Sequence, residues 1–258
     1  MSTLIVIPAR LGATRLPQKP LRLLGGKPLI VRVWERVAAM QAADRVVVAT
    51  DHPDVAAAAI AAGAEVAMTR GDHISGTDRV AEVANKSEYA GYDVIVNVQG
   101  DEPYINADGI RGAAQFVERG TYPLGTAASP GSVEILANPA VVKVVIDDLG
   151  RALYFSRAPI PFLRDETDRA QRDGLVKQHL GVYAYNRDAL NRWVSLPPHP
   201  LELTERLEQL RAIADGLAMG VAIVAPVLGG GIDTEEDLAL ANSRWTEPSQ
   251  TPSAAGSK

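Results

Sequence analysis

The chain has 258 residues, 47% of them apolar and 22% charged, with a formal net charge of −5 and no cysteine. The acidic balance argues against a general binder of nucleic acid or membrane surfaces. The lack of cysteine removes disulfides, thiolate metal sites and a cysteine nucleophile. The opening MSTLIVIPAR has no basic n-region and no apolar run approaches the length of a membrane span, so a cytoplasmic enzyme or binding protein is expected.

Short β-branched runs predict strands over Leu4–Ile7, Arg45–Ala49, Glu65–Met68 and Asp93–Val98. Between them, apolar periodicity predicts helices over Pro28–Met40, Pro53–Ala62 and Thr77–Lys86. Runs such as VVVA and VIVNV are apolar at successive positions, which implies a parallel sheet covered on both faces. The expected class is therefore α/β, with ligands beyond the carboxyl ends of the strands.

A helix over Ala107–Glu118 and strands over Leu124–Ala128, Val141–Ile146 and Ala152–Phe155 follow. The segment from Arg157 to Lys177 is rich in Pro, Arg and Asp without a clear period and reads as an excursion or a mobile loop. A strand over Gly181–Tyr185, helices over Asp188–Ser195 and Leu201–Asp215, a strand over Val221–Val224 and a helix over Thr234–Asn242 complete the core. The Pro/Ser-rich residues 246–258 read as a disordered tail, leaving residues 1–245 as the folded part.

Four constellations carry chemistry. Directly after the first strand, IPARLGATRLPQKPL sets Arg10, Arg15 and Lys19 around Gly12, Pro17 and Pro20. Arginine, lysine and backbone N–H groups are the usual partners of a polyphosphate, although a solvated basic turn would look the same. The stretch is neither a P-loop nor a dinucleotide fingerprint.

In VIVNVQGDEPYI an apolar strand ends in Gln99, Gly100 and Asp101. A carboxylate there is placed to hold Mg²⁺ with phosphate oxygens, whereas Glu102 reads more as a solvent-facing residue. In GGGIDTEEDLALA, Asp233 or Thr234 serves as a helix cap unless Asp233 also faces Asp101. The last set is His179, Tyr183, Tyr185, Glu208 and Gln209, able to grip a polyhydroxylated ligand or simply to form core.

Taken in order, IPARLGATRLPQKPL, VATDHPDV, SGTDRVAE, VNVQGDEP, KVV, ALYFSRAPIP, HLGVYAY, LELTERLEQLR and GIDTEEDL resemble the 3-deoxy-manno-octulosonate cytidylyltransferase family over roughly residues 4 to 240. The resemblance implies a single Rossmann-like nucleotidyltransferase domain of glycosyltransferase-A type over residues 1–245. Its sheet is mixed and mainly parallel, with a smaller subdomain for sugar binding and dimerisation. It implies a cytoplasmic homodimer that activates 3-deoxy-D-manno-octulosonate (Kdo) with CTP and Mg²⁺ for lipopolysaccharide assembly. A related acidic sugar, 8-amino-Kdo or sialic acid, and a non-catalytic nucleotide-binding protein are the alternatives.

Carried over by motif, Pro8, Ala9, Arg10, Arg15, Lys19, Ser75, Gly76, Thr77 and Arg79 would face CTP. Gln99, Arg157, His179, Tyr183, Tyr185, Glu208 and Gln209 would face the sugar. Lys19, Asp101 and Asp233 would be catalytic, with Asp101 and Asp233 holding the metal.

Overall fold

The computed structural model describes residues 1–12, 15–227 and 229–245. The expectation for residues 246–258 lies outside them. In chain order the elements are β1 (Thr3–Ala9), β2 (Leu23–Leu24), β3 (Lys27–Pro28), α1 (Leu29–Ala39), β4 (Arg45–Thr50), α2 (Pro53–Ala61) and β5 (Glu65–Met68). Then come α3 (Gly76–Ala84), β6 (Val94–Asn97), α4 (Ala107–Glu118), β7 (Leu124–Pro130), β8 (Lys143–Ile146) and β9 (Ala152–Ser156). The last are α5 (Arg169–Leu175), β10 (Lys177–Asn186), α6 (Arg187–Ser195), α7 (Pro200–Glu205), α8 (Gln209–Ala214), β11 (Met219–Ile223) and α9 (Glu235–Arg244).

The main sheet runs β11-β7-β10-β6-β1-β4-β5, with β8 and β9 attached through β10. β6, β1, β4 and β5 are parallel, as are β7 and β11. β10 is antiparallel to β6 and β7, so a chain segment from the second half enters the middle of the sheet. The sheet is mixed and mainly parallel, as expected.

Alternate residues of β1 explain why its whole sequence is apolar. Ile5 and Ile7 pack with Leu29, Ile30 and Ile110 on the α1/α4 face. Leu4 and Val6 pack with Val80, Trp193 and Leu210 on the α3/α6/α8 face. Helices thus cover both faces, and the loops following β1, β4 and β6 collect at one edge of the sheet.

Three expectations change. The predicted helix over Leu201–Asp215 breaks into α7 and α8, because Arg206 adopts a left-handed conformation with φ 55°. The Arg157–Lys177 excursion is not structureless: it holds a 3₁₀ turn at Glu166–Asp168 and then α5. β10 begins at Lys177 rather than Gly181, with a register shift between His179 and Tyr183 that helical or strand periodicity alone does not reveal.

Candidate active site

The opening loop is anchored from beneath. Leu16 and Pro20 are buried, and Lys19 sits in a short 3₁₀ turn, Lys19–Leu21, that leads to the β2/β3 hairpin. Arg10 and Arg15 stay exposed at the sheet edge. The loop forms one wall of a cavity of about 330 Å³, with Pro8, Ala9, Arg10, Arg15 and Lys19 on that side. Ser75, Gly76 and Arg79 form a second wall, and Gln99, Gly100, Asp101 and Asp233 the base.

Gly100 brings β1 and the turn after β6 together. A Cβ there would lie 2.7 Å from the Pro8 carbonyl oxygen, so a side chain would push Asp101 away from the loop. Asp101 and Asp233 converge on one point: Lys19 Nζ lies 2.5 Å from Asp101 Oδ2 and 2.7 Å from Asp233 Oδ1. Arg15 Nη2 adds a contact of 3.0 Å to Asp233 Oδ2.

Neither aspartate is a helix cap. Thr234 caps α9 through the backbone N–H of Asp237, while Asn106, rather than Asp101 or Asp108, caps α4. The capping explanation of Asp233 therefore falls, and its carboxylate is free to face Lys19 and Arg15.

Burial works against charge on Lys19, but Asp101 and then Asp233 outweigh it and leave its pKa above the ordinary value. Burial would likewise raise Asp233, yet Lys19 and Arg15 hold it below the usual carboxylate range. Lys19 and Asp233 are therefore both charged near neutral pH. Two carboxylates around one shared cation, with open space toward a cationic wall, suit Mg²⁺, which completes its shell with water and phosphate oxygens. Among the described residues, no group of three or more histidine, cysteine or acidic side chains forms a ready-made metal cage.

Glu102 departs from expectation. Instead of pointing to solvent, its carboxyl is packed near the backbones of Gly181 and Gly231. Burial, then Asp101 and Asp233, push its pKa well above the ordinary value.

The α3 wall is positioned by a capping box: Ser75 accepts from Asp78 N, and Asp78 accepts from Ser75 N. Ser75 Oγ also donates to Glu208 Oε1 at 2.8 Å, linking this wall to the second half of the chain. Arg79 is buried and paired with Asp51 at 3.1 Å beyond β4, and Thr77 is buried behind the cavity wall.

Behind this junction lies the remaining polar set. Tyr185 is fully buried on β10, hydrogen-bonded by Asn97 of β6 at 3.4 Å; Gln99 Nε2 donates to the same asparagine's Oδ1 at 3.3 Å. Thr126 Oγ1 donates to the Val182 carbonyl at 2.6 Å, so His179 Nε2, 2.9 Å away, must be its donor. Burial lowers the His179 pKa to about 3, making it a neutral imidazole. Burial first, then Tyr185 and Glu208, raise Tyr183 well above the ordinary phenol. Glu208 is also raised by burial, against opposition from the Ser75 and Thr77 hydroxyls.

The helix break at Arg206 is what delivers Glu208 and the buried Gln209 to this region. Arg157 sits differently from the rest. Its guanidinium donates to the carbonyls of Glu205 at 2.9 Å, Pro139 at 2.9 Å and Arg206 at 3.4 Å, while Glu205 Oε2 accepts from its backbone N–H at 2.9 Å. In this arrangement Arg157 braces the α7/α8 break. Sequence reasoning missed Asn97 and Thr126; of these only Asn97, a lone amide inside an apolar strand, carried a readable signal.

Comparison with known proteins bears on the family and the fold. The cytidylyltransferase family pattern matches residues 4–219. A 3-deoxy-manno-octulosonate cytidylyltransferase of Gemmatimonas aurantiaca is 61% identical over 245 residues, 95% of each chain. A solved CMP:2-keto-3-deoxy-manno-octonic acid synthetase complexed with CTP superposes with a TM-score of 0.85 at 40% identity, covering 94% of this chain and 98% of that one. An inositol-1-phosphate CTP transferase from T. maritima shares the fold, with a TM-score of 0.63 at 15% identity over 93% of this chain and 95% of that one. By extent of match, by identity and by fold, this chain belongs to the 3-deoxy-manno-octulosonate cytidylyltransferase family.

Proposed function

We propose that the chain transfers the cytidylyl group of CTP to Kdo, giving CMP-Kdo and pyrophosphate. The observation that carries this reading is the Lys19–Asp101–Asp233 cluster at the base of the cavity. It has phosphate-type cations on one side and Ser75, joined to Glu208, on the other.

In the reaction, the anomeric hydroxyl of Kdo attacks the α-phosphorus. The bond from that phosphorus to the bridging oxygen breaks, pyrophosphate leaves with the bonding electrons, and the hydroxyl proton passes to solvent. Positioning and charge neutralisation supply the acceleration, with no protein nucleophile. Asp101 and Asp233 are the residues that would hold Mg²⁺, which when bound would supply Lewis acidity toward the attacking hydroxyl and neutralise developing charge.

Arg10, Arg15 and Lys19 orient the triphosphate and stabilise the leaving pyrophosphate. Pro8, Ala9, Ser75, Gly76, Thr77 and Arg79 shape the nucleotide side. Gln99, His179, Tyr183 and Glu208 present hydrogen-bonding groups to sugar hydroxyls, His179 as a neutral ring because of its burial, while the buried Tyr185 and Gln209 support that face from behind. Arg157 contributes by holding Glu208 and Gln209 in place through the Arg206 break.

We also take the protein to act in the cytoplasm, in lipopolysaccharide biosynthesis, as a homodimer. No described helix is long and apolar enough to cross a membrane. Exposed Phe162 and Leu175 on the 157–177 excursion offer apolar surface to a second copy.

Pyrophosphate release measured with CTP, ATP, GTP and UTP, each with and without Kdo, tests the activity. Release is expected with CTP and Kdo together. Equal use of ATP, or release independent of the sugar, would overturn it. Light scattering of the purified chain tests the dimer.

A further inference from the structure

Asp233 carries a cation on each carboxylate oxygen: Lys19 Nζ on Oδ1 at 2.7 Å and Arg15 Nη2 on Oδ2 at 3.0 Å. Lys19 also holds Asp101 Oδ2 at 2.5 Å. Both cations come from the loop that lines the phosphate side of the cavity. The loop's cations therefore rest on the very oxygens that a divalent cation would take.

An ammonium and a dication cannot share that point. Their charges repel at close range, and both require the same carboxylate lone pairs. The Lys19 side chain is only 16% exposed, so it cannot give up two carboxylates for bulk water without loss. Arg15, 65% exposed, can leave Asp233 with little penalty.

We infer that Lys19 is a latch cation: it holds the Asp101–Asp233 pair until nucleotide and metal arrive together, and then exchanges both carboxylates for phosphate oxygens. This rests on the reading of Asp101 and Asp233 as the metal pair. Every charge keeps a partner in the exchange. The carboxylates trade an ammonium for a dication, and the ammonium trades carboxylates for phosphate.

Metal alone is disfavoured because it strands a largely buried ammonium; nucleotide alone is disfavoured because its phosphates must compete with two carboxylates for Lys19. Each ligand removes the obstacle to the other, which is positive coupling between two sites. The latch also gives the empty pair of carboxylates a counter-charge, so the two turns stay in register without a metal.

The test uses Mn²⁺ as the probe, with binding followed by electron paramagnetic resonance and by calorimetry on the nucleotide-free protein. Lys19→Met is expected to bind Mn²⁺ at least about tenfold tighter than wild type, since displacement of two charge-assisted hydrogen bonds is no longer required. Mn²⁺ is also expected to raise its Tm more than that of wild type. A non-hydrolysable CTP analogue should strengthen Mn²⁺ binding strongly in wild type and by a smaller factor in the variant.

Lys27→Met, which removes a lysine paired with Glu35, is the control and should match wild type. Lys19→Gln repeats the measurement with a polar side chain, should the methionine variant fail to fold. Unchanged or weaker Mn²⁺ binding in the Lys19 variants, with binding lost in Asp101→Asn and Asp233→Asn, would overturn the latch alone. Unchanged Mn²⁺ binding in Asp101→Asn and Asp233→Asn would overturn the metal pair on which it rests.

Discussion

The backbone N–H of Ile232 donates to the carbonyl of Asp101 at 3.0 Å. This single bond ties the turn that carries Asp233 to the turn that follows β6, two segments that are remote in sequence. With both turns so joined, the two carboxylates act as a unit. Asp101→Asn and Asp233→Asn should each reduce turnover by about a hundredfold or more while circular dichroism stays unchanged, because side-chain size is kept and one charged ligand is lost. The double variant should be little worse than either single one. Multiplicative losses would show that the aspartates work independently.

Gly231 belongs to the same junction. A Cβ on it would lie 2.8 Å from Glu102 Oε1, closer than ordinary contact. Gly231→Ala should therefore displace the carboxyl of Glu102 and disturb the turn bearing Asp233, at a stability cost of about 1–3 kcal/mol. Truncating Glu102 to Ala in the same chain should recover part of that loss. A double-mutant cycle by urea denaturation measures the coupling, and additive effects would show that the two residues do not meet.

Ser75 combines two tasks, capping α3 and holding Glu208. Asn186 caps α6 and has no such second contact among its hydrogen bonds. Ser75→Ala and Asn186→Ala should each cost about 1 kcal/mol of stability through loss of the cap. Turnover should fall only in the Ser75 variant. Thermal unfolding alongside steady-state kinetics separates the structural effect from the catalytic one.

His179 makes stability depend on pH in a definite direction. In the unfolded chain a histidine protonates near pH 6.5, whereas burial lowers its pKa to about 3 in the folded state. Between those values the unfolded chain binds more protons, so stability falls as pH falls. The contribution is fully present above the unfolded pKa and has been lost once pH drops below the folded one. Wild type should lose about 1–2 kcal/mol through this group between pH 7 and pH 5, and His179→Gln should lack that part of the slope. Identical pH slopes in urea denaturation would show that His179 does not titrate on unfolding.

The central strands and their helices were legible because burial on both faces leaves a local record. Val94–Asn97 sits within the predicted Asp93–Val98, and Ala107–Glu118 agrees at both ends. Other features left no such record. The β2/β3 hairpin joins two-residue strands too short to show a period. The Arg206 break follows from a left-handed backbone at a residue whose identity does not demand one. The helix inside the 157–177 excursion escaped the sequence reading because a short, mostly exposed helix such as α5 shows little apolar periodicity.

By itself the sequence determined the class of fold, the edge of the sheet that carries chemistry, and the placement there of Arg10, Lys19 and Asp101. Those properties follow from strand periodicity and from loop composition within short windows. Only the tertiary structure decided that Asp233 faces Asp101 across Lys19 rather than capping α9, and that Ser75 reaches Glu208. It alone packed the carboxyl of Glu102 beside Gly181 and Gly231 and turned Arg157 toward the α7/α8 break. The physical reason is that a carboxylate is equally suited to a cap, a surface or an ion pair. Its role is fixed by which charge the packing of distant segments brings within reach, and composition in one window holds no trace of that.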